Sequence, residues 1–381
     1  MTPAHDIPFN RPFSAAREAQ YVREVLKSRR LAGGGEFTAR CERLIASLMP
    51  DASSVILTHS ASAALEMACL LIDLRPGDEV IMPTFTFASS ANAVARCGAV
   101  PVFVDICGDT LNLDATLVGA ALTNRTRAIL PTDYAGVAAD FDALSELAAE
   151  HGLFIIEDAA HGFAASWRGR PLGTIGRFGA LSFHDTKNIV AGEGGALLVN
   201  DPHDVEAAGI LRDKGTNRSQ FLCGLVDKYT WQRIGSSFVA SELAAAVLLA
   251  QLEAVAEITR RRRAVWNHYH FRLAEAEDAG RLLRPHISQG CLHNAHIYWV
   301  LLPSANDRNR AIELLRRDGI QGAFHYAPLH ESPAGRRYGR AAGTLEVSVD
   351  RASRLLRLPL YAGLSATDQE RVLKSLLAFL R

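Results

Sequence analysis

A lysine and an aspartate in this chain have the residue types and the spacing for covalent chemistry on an aldehyde cofactor. Lys187 lies in the segment Ser-Phe-His-Asp-Thr-Lys-Asn (182–188), which runs into a Gly-Glu-Gly-Gly turn (192–195), and Asp158 ends an apolar run before it. A lysine amine can hold an aldehyde as a Schiff base, and a carboxylate beneath a pyridine ring can keep its nitrogen protonated. The pair therefore suggests an enzyme that uses pyridoxal 5'-phosphate, although either residue alone can be an ordinary surface group or a helix cap.

A run of small residues offers a place for the cofactor phosphate. The segment Thr-His-Ser-Ala-Ser-Ala-Ala-Leu (58–65) joins a predicted strand to an alanine-rich helix. Backbone N–H groups at such a helix N-terminus, together with the Ser62 hydroxyl, can bind a phosphate, and Ser182 can supply another hydroxyl. A serine there is also a common N-cap, so the segment alone leaves both interpretations open.

Two further residue types match the needs of a pyridine ring. Phe85 and Phe87 follow a predicted strand, and an aromatic side chain in that position can stack on the ring, although aromatic residues more often fill the core. His161 lies three residues after Asp158 and can hydrogen-bond the phenolic oxygen of the cofactor. A histidine satisfied within the protein explains the same residue equally well.

Composition excludes several other classes of protein. The chain has 381 residues, and its Lys+Arg and Asp+Glu counts are both 41. Because the formal net charge is zero, the composition indicates no general electrostatic attraction to nucleic acid or to anionic lipid. The basic run 260–263 is predicted to be the solvated face of a helix. The cysteines form no CxxC pair, the histidine pairs lack the further ligands of a metal site, and no segment has the length of a membrane span. We expect a cytoplasmic protein without a metal.

Short apolar runs alternate with helical patterns between residues 55 and 200. This alternation predicts an α/β fold with a mostly parallel sheet, whose ligands bind at the carboxyl ends of the strands. The predicted strands are Val55–Thr58, Glu79–Pro83, Val102–Ile106, Ala128–Pro131, Phe154–Asp158, Ala180–Phe183 and Ala196–Val199.

The pattern changes after about residue 250. A charged helix around 260–275, a strand at 297–302, a helix near 308–317 and a closing helix from Ser365 predict a smaller α+β domain. We therefore expect a large domain over residues 1–250 and a small domain over residues 251–381. The polar, glycine-rich stretch 336–344 is predicted to be a mobile loop.

With these residues, the chain resembles the DegT/StrS-type family of pyridoxal phosphate sugar aminotransferases over nearly its whole length. The resemblance implies the fold type I architecture of the aspartate aminotransferase class. Within the family the chain is most similar to the dTDP-4-amino-4,6-dideoxygalactose transaminases of enterobacterial common antigen synthesis. The segments that carry this similarity are 7–10, 76–83, 214–221, 226–231, 324–326 and 328–330, of which Lys-Gly-Thr-Asn-Arg-Ser-Gln-Phe (214–221) points to the subgroup.

The resemblance also implies roles for single residues. The Schiff-base lysine of the family falls on Lys187, the carboxylate at the pyridine nitrogen on Asp158, and the stacking aromatic on Phe87. The phosphate loop and the partner of the phenolic oxygen fall on Ala61, Ser62, Ser182 and His161. Groups that can meet the nucleotide diphosphate and the sugar are His184, Asn217, Arg218, Lys228, His325, Tyr326 and His330.

One position departs from the family pattern. Many relatives reach across a dimer with an asparagine to the partner's cofactor phosphate, but the aligned residue here is Val239, and Ser236 or Ser237 can take its place. The fold still implies a homodimer with the active site at the subunit interface.

The implied reaction is the transfer of an amino group from L-glutamate to dTDP-4-keto-6-deoxyglucose, which gives dTDP-4-amino-4,6-dideoxygalactose. Three alternatives remain: a UDP-linked or 3-keto sugar as substrate, a dehydratase on the same fold, and a non-catalytic regulator derived from it. Lys187 argues against the dehydratase, in which the lysine is expected to be replaced, and the joint presence of Lys187, Asp158 and Ser62 argues against the regulator.

Overall fold

Short strands and helices alternate through the first half of the chain and build one large sheet. The computed structural model describes residues 5–380, apart from the side chains of Ser219 and Leu222. The strands are β1 (Ser54–Thr58), β2 (Glu79–Pro83), β3 (Val100–Val104), β4 (Thr126–Ile129), β5 (Phe154–Glu157), β6 (Ser166–Trp167), β7 (Arg170–Pro171), β8 (Phe178–Ser182), β9 (Gly195–Val199), β10 (Cys291–Leu292), β11 (Tyr298–Leu301), β12 (Arg340–Ala341) and β13 (Leu355–Leu358).

Helices connect these strands and follow them. They are α1 (Glu18–Ser28), α2 (Glu36–Leu48), α3 (Ala61–Leu71), α4 (Ala88–Arg96), α5 (Ala115–Ala121), α6 (Phe141–His151), α7 (Val205–Arg212), α8 (Arg218–Leu222), α9 (Glu242–Glu253), α10 (Val255–Arg272), α11 (Ala274–Asp278), α12 (Ala305–Arg317), α13 (Pro333–Tyr338), α14 (Glu346–Arg354) and α15 (Ala366–Phe379).

The large sheet has eight strands in the order β1-β9-β8-β5-β4-β2-β3-β12. The six strands from β8 to β12 are parallel, whereas β9 runs antiparallel to both of its neighbours at the other end. All seven predicted strands are present, and their ends differ from the prediction by no more than two residues. The mostly parallel α/β sheet expected from the sequence is confirmed.

Both faces of this sheet are covered by apolar side chains. On one face Ala64 and Ala68 of α3 pack in a buried cluster with Leu197 and Val199. On the other face α2 and α9 pack against the alternate residues of β1 and β9. Burial on both faces explains why these strands are almost continuously apolar.

The C-terminal part of the chain has a separate apolar cluster. The antiparallel pair β11 and β13 packs there with α10, α12 and α15. Ile7 also belongs to this cluster, and it forms a bridge with Ile320. The division of the chain at residue 250 remains a prediction.

The prediction of a mobile loop over residues 336–344 is wrong. Residues 336–338 lie in α13, and Arg340–Ala341 forms β12, which pairs in parallel with β3 at the edge of the large sheet. Arg340 reaches from this strand to the buried Glu79, with 2.8 Å between Nη2 and Oε2. This ion pair and the ladder hydrogen bonds order the segment.

Within residues 5–380, the structure contains no helix with the length and apolar character that crossing a membrane requires.

Candidate active site

A cavity of about 800 Å³ opens where the carboxyl ends of several strands of the large sheet meet. Segments that follow β1, β2, β4, β5 and β8 reach it, as does the strand β13 from the C-terminal part. The residues proposed from the sequence that line it are Ala61, Ser62, Phe87, Asp158, His161, Ser182, His184, Lys187, His325 and Tyr326.

Lys187 is held in a tight turn beyond β8. Its N–H donates to the carbonyl of His184 over 2.8 Å, and the N–H of Asp185 donates to the carbonyl of Gly192 over 2.9 Å. Gly192 has a φ of +80°, which a glycine adopts without strain. Burial lowers the pKa of the Lys187 amine to about 8, against the attraction of Asp158, which raises it. The amine is therefore neutral in part of the molecules near neutral pH.

Asp158 lies just beyond β5 and is almost fully buried. Its carboxylate accepts hydrogen bonds from Ser90 Oγ at 2.5 Å and from the N–H of Ala160 at 3.3 Å. Burial raises the pKa of Asp158, and these two donors together with Lys187 act in the opposite direction. The carboxylate can thus face a ring cation in the cavity.

The neighbouring Glu157 points to the opposite side of the strand. It accepts hydrogen bonds from the backbone N–H groups of Gly173, Ile175 and Gly176, and burial raises its pKa to about 7. This carboxylate fastens a turn, because successive side chains of a strand face opposite sides. Of the two adjacent acids, only Asp158 reaches the cavity.

The N-terminus of α3 has N–H groups free for an anion. Ser60 is the N-cap, since its Oγ accepts a hydrogen bond from the N–H of Ala63 at 3.1 Å. The N–H groups of Ala61 and Ser62 in this first turn lack intrahelical partners. Ser62 is not the cap, and its hydroxyl lies 2.7 Å from Ser89 Oγ at the cavity wall. The sequence left open whether a serine here caps the helix or binds the phosphate. In the structure Ser60 is the N-cap, and Ser62 lines the cavity where it can contact the phosphate.

The two aromatic residues after β2 have different surroundings. Phe85 is 0% exposed and packs against Tyr134, with ring centroids 5.3 Å apart. Phe87 is 59% exposed and lines the cavity. The structure therefore leaves the ring of Phe87, rather than that of Phe85, available for stacking.

His161 is buried beside these groups. Its Nδ1 accepts a hydrogen bond from the N–H of Ala135 at 3.3 Å, so Nε2 carries the proton of the neutral ring. Burial, followed by the charge of Lys187, holds its pKa well below the ordinary value. Tyr326 Oη lies 3.4 Å from Nε2. His161 is therefore a neutral donor on the cavity side.

Sequence reasoning missed residues in the cavity wall and directly behind it. Tyr134 donates or accepts a 2.7 Å hydrogen bond with Nδ1 of His325, and the ring of His296 lies 4.3 Å from that of His161. Within residues 5–380, no group of acidic, histidine and cysteine residues is arranged to hold a metal ion. Other cavity residues missed from the sequence are Phe9, Asn10, Arg262 and Arg357.

Some predicted residues lie outside this cavity. His330 Nδ1 lies 2.8 Å from the side-chain hydroxyl of Thr84, and Asn217 Oδ1 accepts the backbone N–H of Thr230 at 2.8 Å, so both have partners within the chain. The remaining ones are exposed on the segment that follows α7, namely Arg218, Lys228, Ser236 and Ser237. Val239 pairs with Thr58, which brings this segment next to the phosphate loop of its own chain.

The donor set fits pyridoxal phosphate. Free N–H groups at the start of α3 suit the phosphate, the buried Asp158 suits the pyridinium nitrogen, and the amine of Lys187 suits the aldehyde. Gly195 allows the phosphate loop to lie close to β9, since a Cβ there would be 2.4 Å from the backbone nitrogen of Ala61. The exposed face of Phe87 completes the set.

Comparison with known proteins agrees with this geometry. The model of the DegT/DnrJ/EryC1/StrS aminotransferase family matches residues 12–377. The chain belongs to this family. The GDP-perosamine synthase of Caulobacter vibrioides is 32% identical over 366 residues, which are 94% of each protein. Among solved structures, the aminotransferase TlmJ from Streptoalloteichus hindustanus is 31% identical, with a TM-score of 0.88 and 98% of each chain covered.

A third similar protein bears on the cofactor. Spr1654 from Streptococcus pneumoniae has been solved in a PMP-form that is 25% identical to this chain, with a TM-score of 0.90 over 98% of this chain and 99% of its own, and also in a PLP-form. The fold is fold type I, and the cofactor of this family member is pyridoxal 5'-phosphate. The matches establish an aminotransferase family, but they do not establish the dTDP-linked substrate expected from the sequence.

Proposed function

We propose that this protein transfers the amino group of L-glutamate to the keto group of a nucleotide-linked 4-keto-6-deoxy sugar. The substrate proposed is dTDP-4-keto-6-deoxyglucose and the product dTDP-4-amino-4,6-dideoxygalactose. The observation that carries the proposal is the arrangement of Lys187, Asp158 and the α3 N-terminus around one cavity. The name of GDP-perosamine synthase supports a nucleotide sugar, and the 214–221 segment supports the dTDP-linked subgroup.

When bound, pyridoxal phosphate supplies an aldehyde that exchanges amines and a ring that accepts electrons. Lys187 first holds that aldehyde and is then released to act as a base. Its Nζ removes the proton from the α-carbon of glutamate, which requires a neutral amine. A pKa lowered to about 8 leaves a minority of the amine neutral at pH 7, far more than the ordinary value of 10.5 would, while the amine stays basic enough to hold the proton.

Two buried groups keep the ring in its reactive state. Asp158, fixed by the hydrogen bond from Ser90, would hold a proton on the pyridine nitrogen of the bound cofactor. Neutral His161, whose Nδ1 accepts from Ala135, would donate from Nε2 to the phenolic oxygen. Because both are buried, their interactions are stronger than they would be in water.

In the second half of the reaction, Lys187 returns a proton to C4 of the sugar. The face of the sugar that receives this proton determines whether the product has the galacto or the gluco configuration. His184, His325 and Tyr326 line the cavity and are proposed to hold the hydroxyl groups of the sugar.

The nucleotide diphosphate requires cations, and neither Arg218 nor Lys228 lines the cavity of its own chain. Arg218 and Lys228 are exposed on the segment 214–237, which also exposes apolar side chains such as Leu225 (75%) and Trp231 (77%). An apolar surface of this kind marks an interface. We therefore propose a homodimer in which this segment, with Asn217, Ser236 and Ser237, completes the partner's active site.

The test uses the purified protein, L-glutamate and a panel of dTDP-, UDP- and GDP-linked 4-keto and 3-keto sugars. Glutamate should bleach the cofactor absorbance, and product stereochemistry should be determined by NMR, with Lys187→Ala as the inactive control. We expect the dTDP-linked 4-keto sugar to be converted fastest, to the galacto product. Preference for another nucleotide or for a 3-keto sugar would overturn the substrate, and absence of bleaching in the wild type would overturn the transaminase.

A further inference from the structure

Arg357 is a half-buried guanidinium that lines the cavity and lacks a counter-charge. It lies in β13, where its backbone N–H donates to the carbonyl of Ala323 at 2.7 Å. The guanidinium carbon is 4.6 Å from the centroid of the Phe9 ring, and Nε donates to the carbonyl of Phe324 at 3.2 Å. Within residues 5–380, no carboxylate forms an ion pair with Arg357, and neither Nη1 nor Nη2 makes a hydrogen bond. Two donors of a fixed fork are therefore free at the cavity.

Other arginines nearby are satisfied within the protein. Arg354, three residues earlier in the chain, forms an ion pair with Asp350 at 2.5 Å. Arg262 also lines the cavity, but it donates to the carbonyls of Ala295 at 3.1 Å and His296 at 2.8 Å. Partial burial of a charge without a counter-charge carries a desolvation cost, so the presence of Arg357 beside a cavity indicates an anion that arrives from outside.

Arg357 is also close to the reacting amine. Its charge lowers the pKa of Lys187 as well as those of His161 and His296, after the larger effect of burial in each case. Arg357 and Lys187 line the same cavity, so an anion bound to Arg357 can lie near the atom that Lys187 deprotonates. In an amino acid, the α-carboxylate is one bond from that carbon, and a planar carboxylate matches the fork of a guanidinium.

We propose that Arg357 binds the α-carboxylate of the amino donor and thereby orients its α-hydrogen toward Lys187. This inference depends on the proposed aminotransferase function and adds to it the residue that recognises the donor. The alternative anion is the diphosphate of the nucleotide sugar. The sugar ring separates that group from the reacting C4, so the diphosphate lies farther from its reacting carbon than the α-carboxylate of the donor lies from its own.

The two half-reactions separate these alternatives. In single-turnover measurements on Arg357→Met, we expect the glutamate concentration for half-maximal bleaching to rise about 10- to 100-fold, the range of a lost charge-assisted pair. The keto-sugar reaction of the amine form should change by less than about twofold. Arg357→Lys keeps the positive charge but not the forked guanidinium. Its glutamate concentration for half-maximal bleaching should therefore lie between those of the wild type and Arg357→Met. Arg310→Met is the matched control, since Arg310 stacks on Phe379 at 5.5 Å outside the cavity.

Donor analogues give a test of which carboxylate is bound. L-isoglutamine has an amide in place of the α-carboxylate, and L-glutamine has an amide in place of the γ-carboxylate. The wild type should bind isoglutamine much more weakly than glutamate, and Arg357→Met should lose this difference while keeping the response to glutamine. Binding of 2-oxoglutarate to the cofactor-free protein, followed by calorimetry, provides a readout that does not depend on activity, and it should weaken in Arg357→Met.

Each outcome decides one of the two proposals. If the wild type bleaches with glutamate and Arg357→Met responds to the same glutamate concentrations, the inference is wrong and the aminotransferase stands. If the variant instead loses only the keto-sugar half-reaction, Arg357 binds the diphosphate and the inference is again wrong. If the wild type does not bleach at all, the proposed function itself fails. Circular dichroism and thermal unfolding of both variants exclude a folding defect as the cause.

Discussion

At the scale of single residues, the proposed chemistry depends on two opposing influences on the pKa of the Lys187 amine. Burial disfavours its charged form and lowers its pKa, whereas the carboxylate of Asp158 favours the charged form and raises it. The result is a value of about 8, below the ordinary value of 10.5. The base strength of Lys187 is thus set mainly by its burial and by the charge of Asp158.

This balance predicts the titration of the cofactor-free protein. The rate at which acetic anhydride modifies Lys187, followed by peptide mass spectrometry, should rise with pH through a midpoint of about 8. In Asp158→Asn the attraction that raises the pKa is lost, so the midpoint should move to lower pH. A wild-type midpoint close to 10.5, or a shift to higher pH in the variant, would contradict the electrostatic account.

Sequence reasoning found the residues that stand in a local motif. Lys187, Asp158 and Ser62 follow strands whose pattern is readable, so their meeting at one cavity was predictable. Tyr134 and His325 are hydrogen-bonded although 191 positions separate them. Nothing in the local sequence of Arg357 marks it either, since it sits in an apolar strand, and only the packing of β13 against the cavity shows that its guanidinium lacks a partner. Tertiary contacts between distant segments, rather than local patterns, assemble the wall of the site.

At the scale of elements, the position of α3 relative to β9 determines the phosphate site. A Cβ on Gly195 would come within 2.3 Å of the backbone carbon of Ser60 and 2.4 Å of the backbone nitrogen of Ala61. Neither atom can move without shifting the first turn of α3, whose N–H groups are the expected phosphate donors.

Gly195→Ala should therefore weaken cofactor binding by at least about tenfold and destabilise the protein by about 1–3 kcal/mol, the usual cost of overpacking. Both are measurable, by titration of pyridoxal phosphate and by urea unfolding. Gly209→Ala in α7 is the control, because a Cβ there meets no atom within 4 Å and the helix should tolerate or favour alanine. Unchanged cofactor affinity in Gly195→Ala would show that the contact does not control the phosphate site.

The edge strand β12 is held to the sheet by a buried carboxylate. Glu79 of β2 is fully buried and pairs with Arg340 at 2.8 Å and with Arg125 at 2.7 Å, while Thr123 Oγ1 donates to it at 2.8 Å. The hydrogen bond from Arg340 is the largest influence on Glu79 and lowers its pKa below the ordinary value of 4.5. A two-residue strand has no readable period, which is why the sequence alone predicted a loop here.

Arg340→Met should destabilise the protein at pH 7 by roughly 2–3 kcal/mol, less than the full cost of a broken buried pair because Arg125 remains. Since the folded-state pKa of Glu79 is lowered, the pair stabilises the protein above pH 4.5, and this contribution disappears as the pH falls through the lower folded value. Urea unfolding at several pH values should therefore show wild type and variant converging in acid. The double variant Glu79→Gln/Arg340→Met should recover part of the loss, and equal differences at pH 7 and pH 3 would refute the assignment.

At the scale of the whole molecule, the segment 214–237 exposes apolar side chains that one chain alone does not bury. Its apolar side chains Leu225, Trp231 and Ile234 are at least 70% exposed, and its cations Arg218 and Lys228 are exposed and do not line the cavity of their own chain. Burial of these groups against a second copy would remove apolar surface from water and deliver cations to a neighbouring site. Trp231→Glu should then weaken self-association in sedimentation equilibrium, whereas Phe271→Glu, which alters an exposed aromatic residue on α10, should not.

A shared active site makes a further prediction about mixtures of inactive variants. Lys187→Ala removes the reacting amine, and the double variant Arg218→Ala/Lys228→Ala removes the proposed nucleotide contacts from the segment that reaches the partner. In a mixed dimer, one of the two sites contains both the intact lysine and the intact segment. Random exchange of equal amounts should therefore restore about one quarter of the wild-type activity, because half of the dimers are mixed and each has one complete site. If the mixture stays as inactive as its components after exchange has been verified by mass, each cavity takes its nucleotide contacts from its own chain and the segment serves another purpose.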